Sequence, residues 1–444
     1  MDMNINEFIA RALEATAQAG ISPAEVSCSI SDAFSVRARN AQLEDYKVSE
    51  KHSITLRGKV NGRIGTARTQ ALDEDSLALL IQGVRESAEL IETEEQDEIL
   101  PPDERYETVV NFNEALEGIS AQEKIALALG IDQLMQGADA RIKPDDTVVA
   151  TSCSTFTMKN SLGLDLSHRS NMIYSFTSAL AKDGDRAATG FKLHWGYGMD
   201  AIKPEALAAE CQEDALSQLY AGRMKSGKYP VVIKGSAMSD LLSTFCGIFS
   251  AENAQKGMSL LAGKEGETIA SACVTLRDDP LMDWGLASSP FDREGAATFR
   301  KNVIEGGVLK TLLHNRKTAK KAGCKTTGNA AGAGQVAPTN FYFVPGEKTE
   351  DALLAQLGDG LYLTEVTGLH AGANGVSGDF SLLSKGFEVK GGKKVRAVEQ
   401  FTVAGNFYQL MKDILEVGAE LKFEGSPIAS PAVLVREISV AGED

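Results

Sequence analysis

Apolar and polar residues alternate through residues 26–69, the period-two pattern of strands with one buried face. Val26–Ile30, Phe34–Arg39, Leu43–Ser49 and Ser53–Val60 read as strands, and Asn61-Gly62 is a hairpin turn before Arg63–Thr69. The period then changes to that of a helix over 72–91, with Leu77, Leu80, Ile81, Val84 and Ala88 on one face. Ahead of the strands, Ile5, Ile9 and Leu13 recur every four residues and predict an amphipathic helix. The acidic run Thr93–Glu98, followed by Pro101-Pro102, marks a boundary, because like charges repel and paired prolines break regular structure.

Ser120 and Glu123 have the spacing of a capping box that opens a helix through about Met135. Strands resume at Thr147–Lys159 and continue to about Tyr197 as an antiparallel meander, with turns at Asn160–Gly163 and Asp183-Gly184. A helix follows over Pro204–Tyr220, then a short apolar strand at Tyr229–Lys234 and a helix over Ser239–Ser250. Beyond it, glycine-punctuated strands are predicted at 285–291, 299–313, 335–344, 360–367, 387–389 and 395–403. Helices fall near 351–357 and 407–417, and a final strand lies within 430–440. The predicted class is α+β in three parts: a strand-rich α+β domain (1–98), an antiparallel meander with flanking helices (99–225), and a C-terminal α+β domain with largely antiparallel sheet (226–444).

A length of 444 residues supports two or three domains. The net charge of −16 leaves no wide basic field to neutralise phosphates, which excludes nucleic acid and anionic membranes as expected partners. The most basic run, Lys310–Lys325, has the spacing of a solvated helix face. Asp2 and Glu7 stand where a signal peptide needs positive charge, and no apolar run approaches the ~18 residues of a membrane span. A cytoplasmic location is expected. The six cysteines are scattered with no C-x-x-C, as expected of reduced thiols in a reducing compartment.

None of the five histidines (52, 168, 194, 314, 370) is followed by Glu, so no H-E-x-x-H or H-E-x-x-x-H helix exists in this chain. The two closest, His168 and His194, are 26 residues apart. Cys246 is a nucleophile only with a base beside it, and an apolar setting would raise its pKa. Asp292, Glu294, Glu252 and Asp379 suit either acid–base chemistry or turn capping. The glycine-rich loops Thr327–Gly334 and Gly372–Asp379 lack the G-K-[ST] of a phosphate loop. Two readings fit them: tight turns in which Gly supplies positive φ, or walls of a groove that takes an extended peptide by strand addition. In the second reading the peptide contacts are Asn329, Gly332 and Gly334 from one loop, and Asn374, Gly375, Ser377, Gly378 and Asp379 from the other.

Three stretches together resemble the TldD/PmbA family, in its PmbA (TldE) branch. The first is Gly285-Leu-Ala-Ser-Ser-Pro-Phe-Asp-Arg-Glu-Gly295, continuing through Arg300–Leu309 to Thr326-Thr-Gly-Asn-Ala-Ala-Gly332. The second is Gly368-Leu-His-Ala-Gly-Ala-Asn-Gly-Val-Ser-Gly-Asp-Phe380, and the third Glu399-Gln-Phe-Thr-Val-Ala-Gly-Asn406 with Glu416-Val-Gly418 beyond it. The resemblance implies a heterodimeric peptidase. In it a TldD-like subunit holds zinc through an H-E-x-x-x-H helix and a later cysteine, and a TldE-like subunit lacks those residues. Family substrates are unfolded or leader-type peptides, and the family also carries the label of DNA-gyrase modulator. On that correspondence the metal-motif positions fall on Ser243, Thr244 and Ile248 within Asp240–Glu252, and the cysteine position near Glu424. The resemblance therefore implies no catalytic residue and no metal in this chain, zinc in a TldD-like partner, a peptide substrate, and a homodimer when the chain is alone. The alternatives are a stand-alone peptide-binding scaffold homodimer and an independent hydrolase built on Cys246.

Overall fold

The structure, a computed structural model, describes residues 3–92, 98–137 and 139–443. Residues 93–97 of the acidic run lie outside the described residues. Helix α1 (Ile5–Gln18) starts at Asn4, whose side chain accepts the Glu7 amide, and it buries Phe8, Ile9 and Ala12. Strands β1 (Ala24–Arg39), β2 (Gln42–Val60) and β3 (Arg63–Thr69) follow, then α2 (Glu74–Glu89), capped by Asp73. After a single turn, α3 (Glu114–Glu117), comes α4 (Ala121–Met135), which opens with the Ser120–Glu123 capping box. Strands β4 (Ile142–Asn160), β5 (Asp165–Asp183) and β6 (Arg186–Gly196) lead to α5 (Pro204–Gln218).

Residues 1–98 and 99–225 each contribute three strands to one antiparallel sheet, ordered β3-β2-β1-β4-β5-β6. The seam is β1 against β4, continuous from Glu25↔Asn160 to Ala38↔Thr147. At the Asn61-Gly62 turn both residues have positive φ (49° and 86°), the geometry that matches the right-handed twist of a two-residue hairpin. The sheet's alternation sorts its faces. Val26, Cys28, Ile54 and Leu56 pack under α1 and α2, while Phe34, Val36 and Ala38 pack under α4. The intervening residues, rich in Ser and Thr, face away from the helices.

The C-terminal part begins with β7 (Gly227–Ile233) and α6 (Gly235–Phe245). β7 is central in a second six-stranded sheet, parallel to Gly360–Thr367 and antiparallel to Val433–Ala441. Pairing of Thr402–Ala404 with Ser439–Ala441 links the Lys393–Asn406 strand back to the far side of this sheet. A third sheet joins Lys301–Glu305, Leu276–Asp278, Phe341–Phe343 and short flanking strands. Helix α6 lies in the core between these sheets, burying Met238, Leu241, Leu242 and Phe245. Phe245 stacks on Phe407 with ring centres 4.8 Å apart; cutting it back to Ala would cost about 3–5 kcal/mol.

Several boundaries differ from the sequence reading. The strand pairs predicted at 26–30 and 34–39, and at 43–49 and 53–60, are each one long strand. Ser31-Asp32-Ala33 pairs without interruption against Lys51-Glu50-Ser49, so the polar stretch marks exposure and not an end. The helix predicted at 239–250 starts four residues earlier and gives way to a 3-10 turn, Cys246–Phe249. Residues 285–291 form a loop, because side chains take up their backbone groups: Asn340 Oδ1 accepts the Ala287 amide at 3.0 Å. The helix predicted near 407–417 stops at Asp413, where Ile414–Val417 pairs with Val433–Val435.

Candidate functional site

The positions matched to the metal motif separate in space. Ser243 lines a cavity of about 160 Å³ with Ser236, Ser239, Asp240, Glu424 and Ser426. Glu424 lies in a loop held on one side by the Trp195 indole of β6, which donates to the Phe423 carbonyl, and on the other by Tyr342, whose ring meets Phe423 edge-on. Thr244 turns its hydroxyl back onto the Asp240 carbonyl at 2.8 Å. Ile248 sits in the 3-10 turn, 1% exposed, within the hydrophobic core. So Ser243 and Glu424 come together, while Thr244 and Ile248 do not join them.

The cavity's chemistry is carboxylate and hydroxyl. Burial, with Glu424 and Glu365 nearby, pushes the Asp240 carboxyl up to about 6. Zinc takes imidazole, thiolate and carboxylate ligands in sets of three or four. The residues here supply no imidazole and no thiolate, and do not fit zinc. Among the described residues no three His, Cys, Asp or Glu side chains gather as a metal set. Asp240 escaped the sequence reading; its signal was its spacing, three residues before Ser243 on one helix face.

Cys246 packs partly against the core, and burial raises its pKa. Asp292 is a turn cap: it accepts the amides of Glu294, Ala296 and Ala330 at 2.9–3.0 Å. Glu294 accepts the Arg316 amide at 2.9 Å, Glu252 pairs with Lys256 at 2.5 Å, and Asp379 accepts from Asn406 Nδ2 at 2.8 Å.

A larger feature lies on the helix-free face of the first sheet. A groove of about 700 Å³ has Ser27, Ser29, Ser53, Thr55 and Arg68 in its floor. A second arm of about 330 Å³ shares Phe156, Arg293 and Ala331 with it and runs past His168 and Ser170. Buried His168 Nε2 has no hydrogen-bond partner among the described residues. The roof is a hairpin, Ala330–Gly332 against Gln335–Val336. Its tip holds Ala333 at φ 51° and Gly334 at φ 78°, the pair of positive φ values that a two-residue hairpin turn takes. The hairpin is anchored by the Ala330 amide to Asp292 and by Asn315 Nδ2 to the Gly334 carbonyl.

Gly332 and Gly334 thus stand on the groove wall. Asn329 lines the second arm, although it is 2% exposed and its side chain bonds to Asp278, Lys301, Thr327 and the Ala337 carbonyl. Asn374, Gly375, Ser377, Gly378 and Asp379 form a separate loop. There Asn374 Oδ1 accepts the Val376 and Ser377 amides and Ser377 Oγ donates to Asp379, an arrangement of local turn bonds. None of the five lines the groove.

Three family models describe most of the chain: PmbA/TldA metallopeptidase domain 1 over residues 24–88, the central domain over 114–219 and the C-terminal domain over 226–442. Metalloprotease PmbA of Escherichia coli O157:H7 is 26% identical over 448 residues, covering 99% of this chain and 96% of that protein. A crystal structure of a candidate DNA-gyrase modulator from Thermotoga maritima is 32% identical, with TM-score 0.92, covering 99% of this chain and all of that one. TldE from Thermococcus kodakarensis shares the fold at 20% identity and TM-score 0.88, over 99% and 100% of the two chains. No helix among the described residues is long and apolar enough to cross a membrane.

Proposed function

Because this chain belongs to the PmbA/TldA metallopeptidase family, we propose that it is the non-zinc-binding subunit of a two-subunit metallopeptidase of the TldD/TldE type. The observation that carries this reading is the donor set: Ser243, Thr244, Ile248 and Glu424 stand where the resemblance puts the metal ligands, and Ile248 is buried in the core. Zinc belongs to the TldD-like partner, which polarises the peptide carbonyl and activates water. This chain contributes binding. The hydroxyl floor and hairpin roof hold an extended, unfolded or leader-type peptide through its backbone, with little demand on sequence.

Metal analysis tests the donor set. The purified chain should carry no stoichiometric zinc, and its mixture with an H-E-x-x-x-H subunit should carry one zinc per pair. Stoichiometric zinc in this chain alone would overturn the reading.

The second reading, a stand-alone peptide-binding homodimer, has one observation in its favour. Residues 42–53 of β2 have no partner on their outer edge among the described residues, and Tyr46 and Val48 stand exposed there. An open edge is a template for strand pairing with a second copy. A stable dimer of this chain that persists when the H-E-x-x-x-H subunit is added would favour it.

A further inference from the structure

Two guanidinium groups line the groove without a carboxylate of their own. Arg68 belongs to β3 in the floor, and Arg293 stands where the two arms meet. Arg293 Cζ lies 4.0 Å from the centre of the Phe156 ring. That contact orients the planar group but satisfies none of its N–H donors. Neither guanidinium has a salt bridge or hydrogen bond among the described residues. The acids on the same walls are engaged elsewhere: Glu25 lies 2.8 Å from Arg57, and Glu294 accepts the Arg316 amide at 2.9 Å. The groove walls also strip water from Arg293, lowering its pKa from an arginine's ordinary value. A partly desolvated cation with no anion beside it is an incomplete site.

We propose that Arg293 is a carboxylate anchor, with Arg68 a second free guanidinium three strands across the same floor, and that it holds an extended peptide in the groove by its C-terminal carboxylate or by an acidic side chain. The proposal rests on the groove being the peptide site. Arginine suits the task because its planar fork of donors matches both oxygens of a carboxylate. Ser27, Ser29, Ser53 and Thr55 beside it offer hydroxyls to the peptide backbone. Together they give a sequence-tolerant groove with one charged anchor, in a chain whose net charge of −16 otherwise repels acidic ligands.

The test uses the full chain and a short, unstructured, N-acetylated peptide of neutral residues in three forms: free acid, C-terminal amide, and amide with one internal Glu. Titration calorimetry should show a form bearing a carboxylate binding on the order of tenfold more tightly than the neutral amide, the scale of a charge-assisted hydrogen bond. Which form gains identifies the source of the carboxylate. The double variant Arg68→Gln/Arg293→Gln should bind all three forms equally, and an unchanged urea midpoint shows that it is folded. Equal binding of all three forms by the native chain, or a gain that survives the double substitution, would overturn the carboxylate subsite and leave the groove standing. Failure of every form to bind would remove the groove as the peptide site, and the subsite with it.

Discussion

Lys301 and Asp278 form an ion pair at 2.7 Å, with side chains 6% and 0% exposed. The second Asp278 oxygen accepts the Thr339 amide and hydroxyl, and Asn329 bonds to both partners of the pair. This network joins Leu276–Asp278, Lys301–Glu305 and the Thr326–Gly332 motif beneath the groove's roof. Removing one partner leaves a buried charge uncompensated. Lys301→Met should destabilise the chain by about 3–5 kcal/mol, read as the shift in urea midpoint at constant m. A cost below about 1 kcal/mol would show that the pair behaves like an exposed one.

Gly235 opens α6 against Ser430–Ala432. A Cβ there would lie 2.5 Å from the Ser430 carbonyl oxygen. Gly235→Ala should therefore cost about 1–3 kcal/mol, although alanine is the better helix former. Thermal unfolding of the variant checks this; an unchanged Tm would mean the two segments do not pack as described.

Asp240 makes stability depend on pH. Its folded pKa of about 6 lies above its ordinary value of 3.8. A raised carboxyl contributes stability that is present below the unfolded pKa and lost as pH rises through the folded one. Asp240→Asn should thus stabilise the chain at pH 8 relative to the native protein, with the gain shrinking as pH falls from 7 to 4. Urea midpoints of both proteins across that range measure it. A gain independent of pH would mean that Asp240 does not titrate there.

Ser53 tests the position of the peptide. Its side chain lines the groove from β2 and is exposed to solvent. Ser53→Trp should fill the floor and weaken peptide binding on the order of tenfold or more, while stability stays within roughly 0.5 kcal/mol. Unchanged peptide affinity would place the peptide elsewhere.

Much of the architecture was legible from local pattern. The turn at Asn61-Gly62, the capping box at Ser120 and the two-period alternation of β4 and β5 stand where their chemistry puts them, because each is decided by neighbours within a few residues. The start of α6 was hidden because glycine is a poor helix former, and its place there follows from a distant contact: a Cβ on Gly235 would lie 2.5 Å from the Ser430 carbonyl oxygen. The candidate site was less legible still. Ser243 and Glu424 are 181 residues apart, and long-range contacts such as the tie from Trp195 to Phe423 and the pairing of Phe341 with Ile428 bring them to one cavity. Asn329 lines the groove's second arm and also belongs to the buried Asp278–Lys301 network, and no mark in the sequence reports that second role. The groove itself arises from strands of two segments facing a hairpin from a third, which periodicity cannot report.

The most direct measurement is cleavage of an unstructured peptide by this chain alone, by an H-E-x-x-x-H subunit alone, and by the two together, each with and without a zinc chelator. Cleavage confined to the mixture and abolished by the chelator is the predicted result. Chelator-insensitive cleavage by this chain alone would contradict it and return attention to Cys246 and the carboxylates around Asp240.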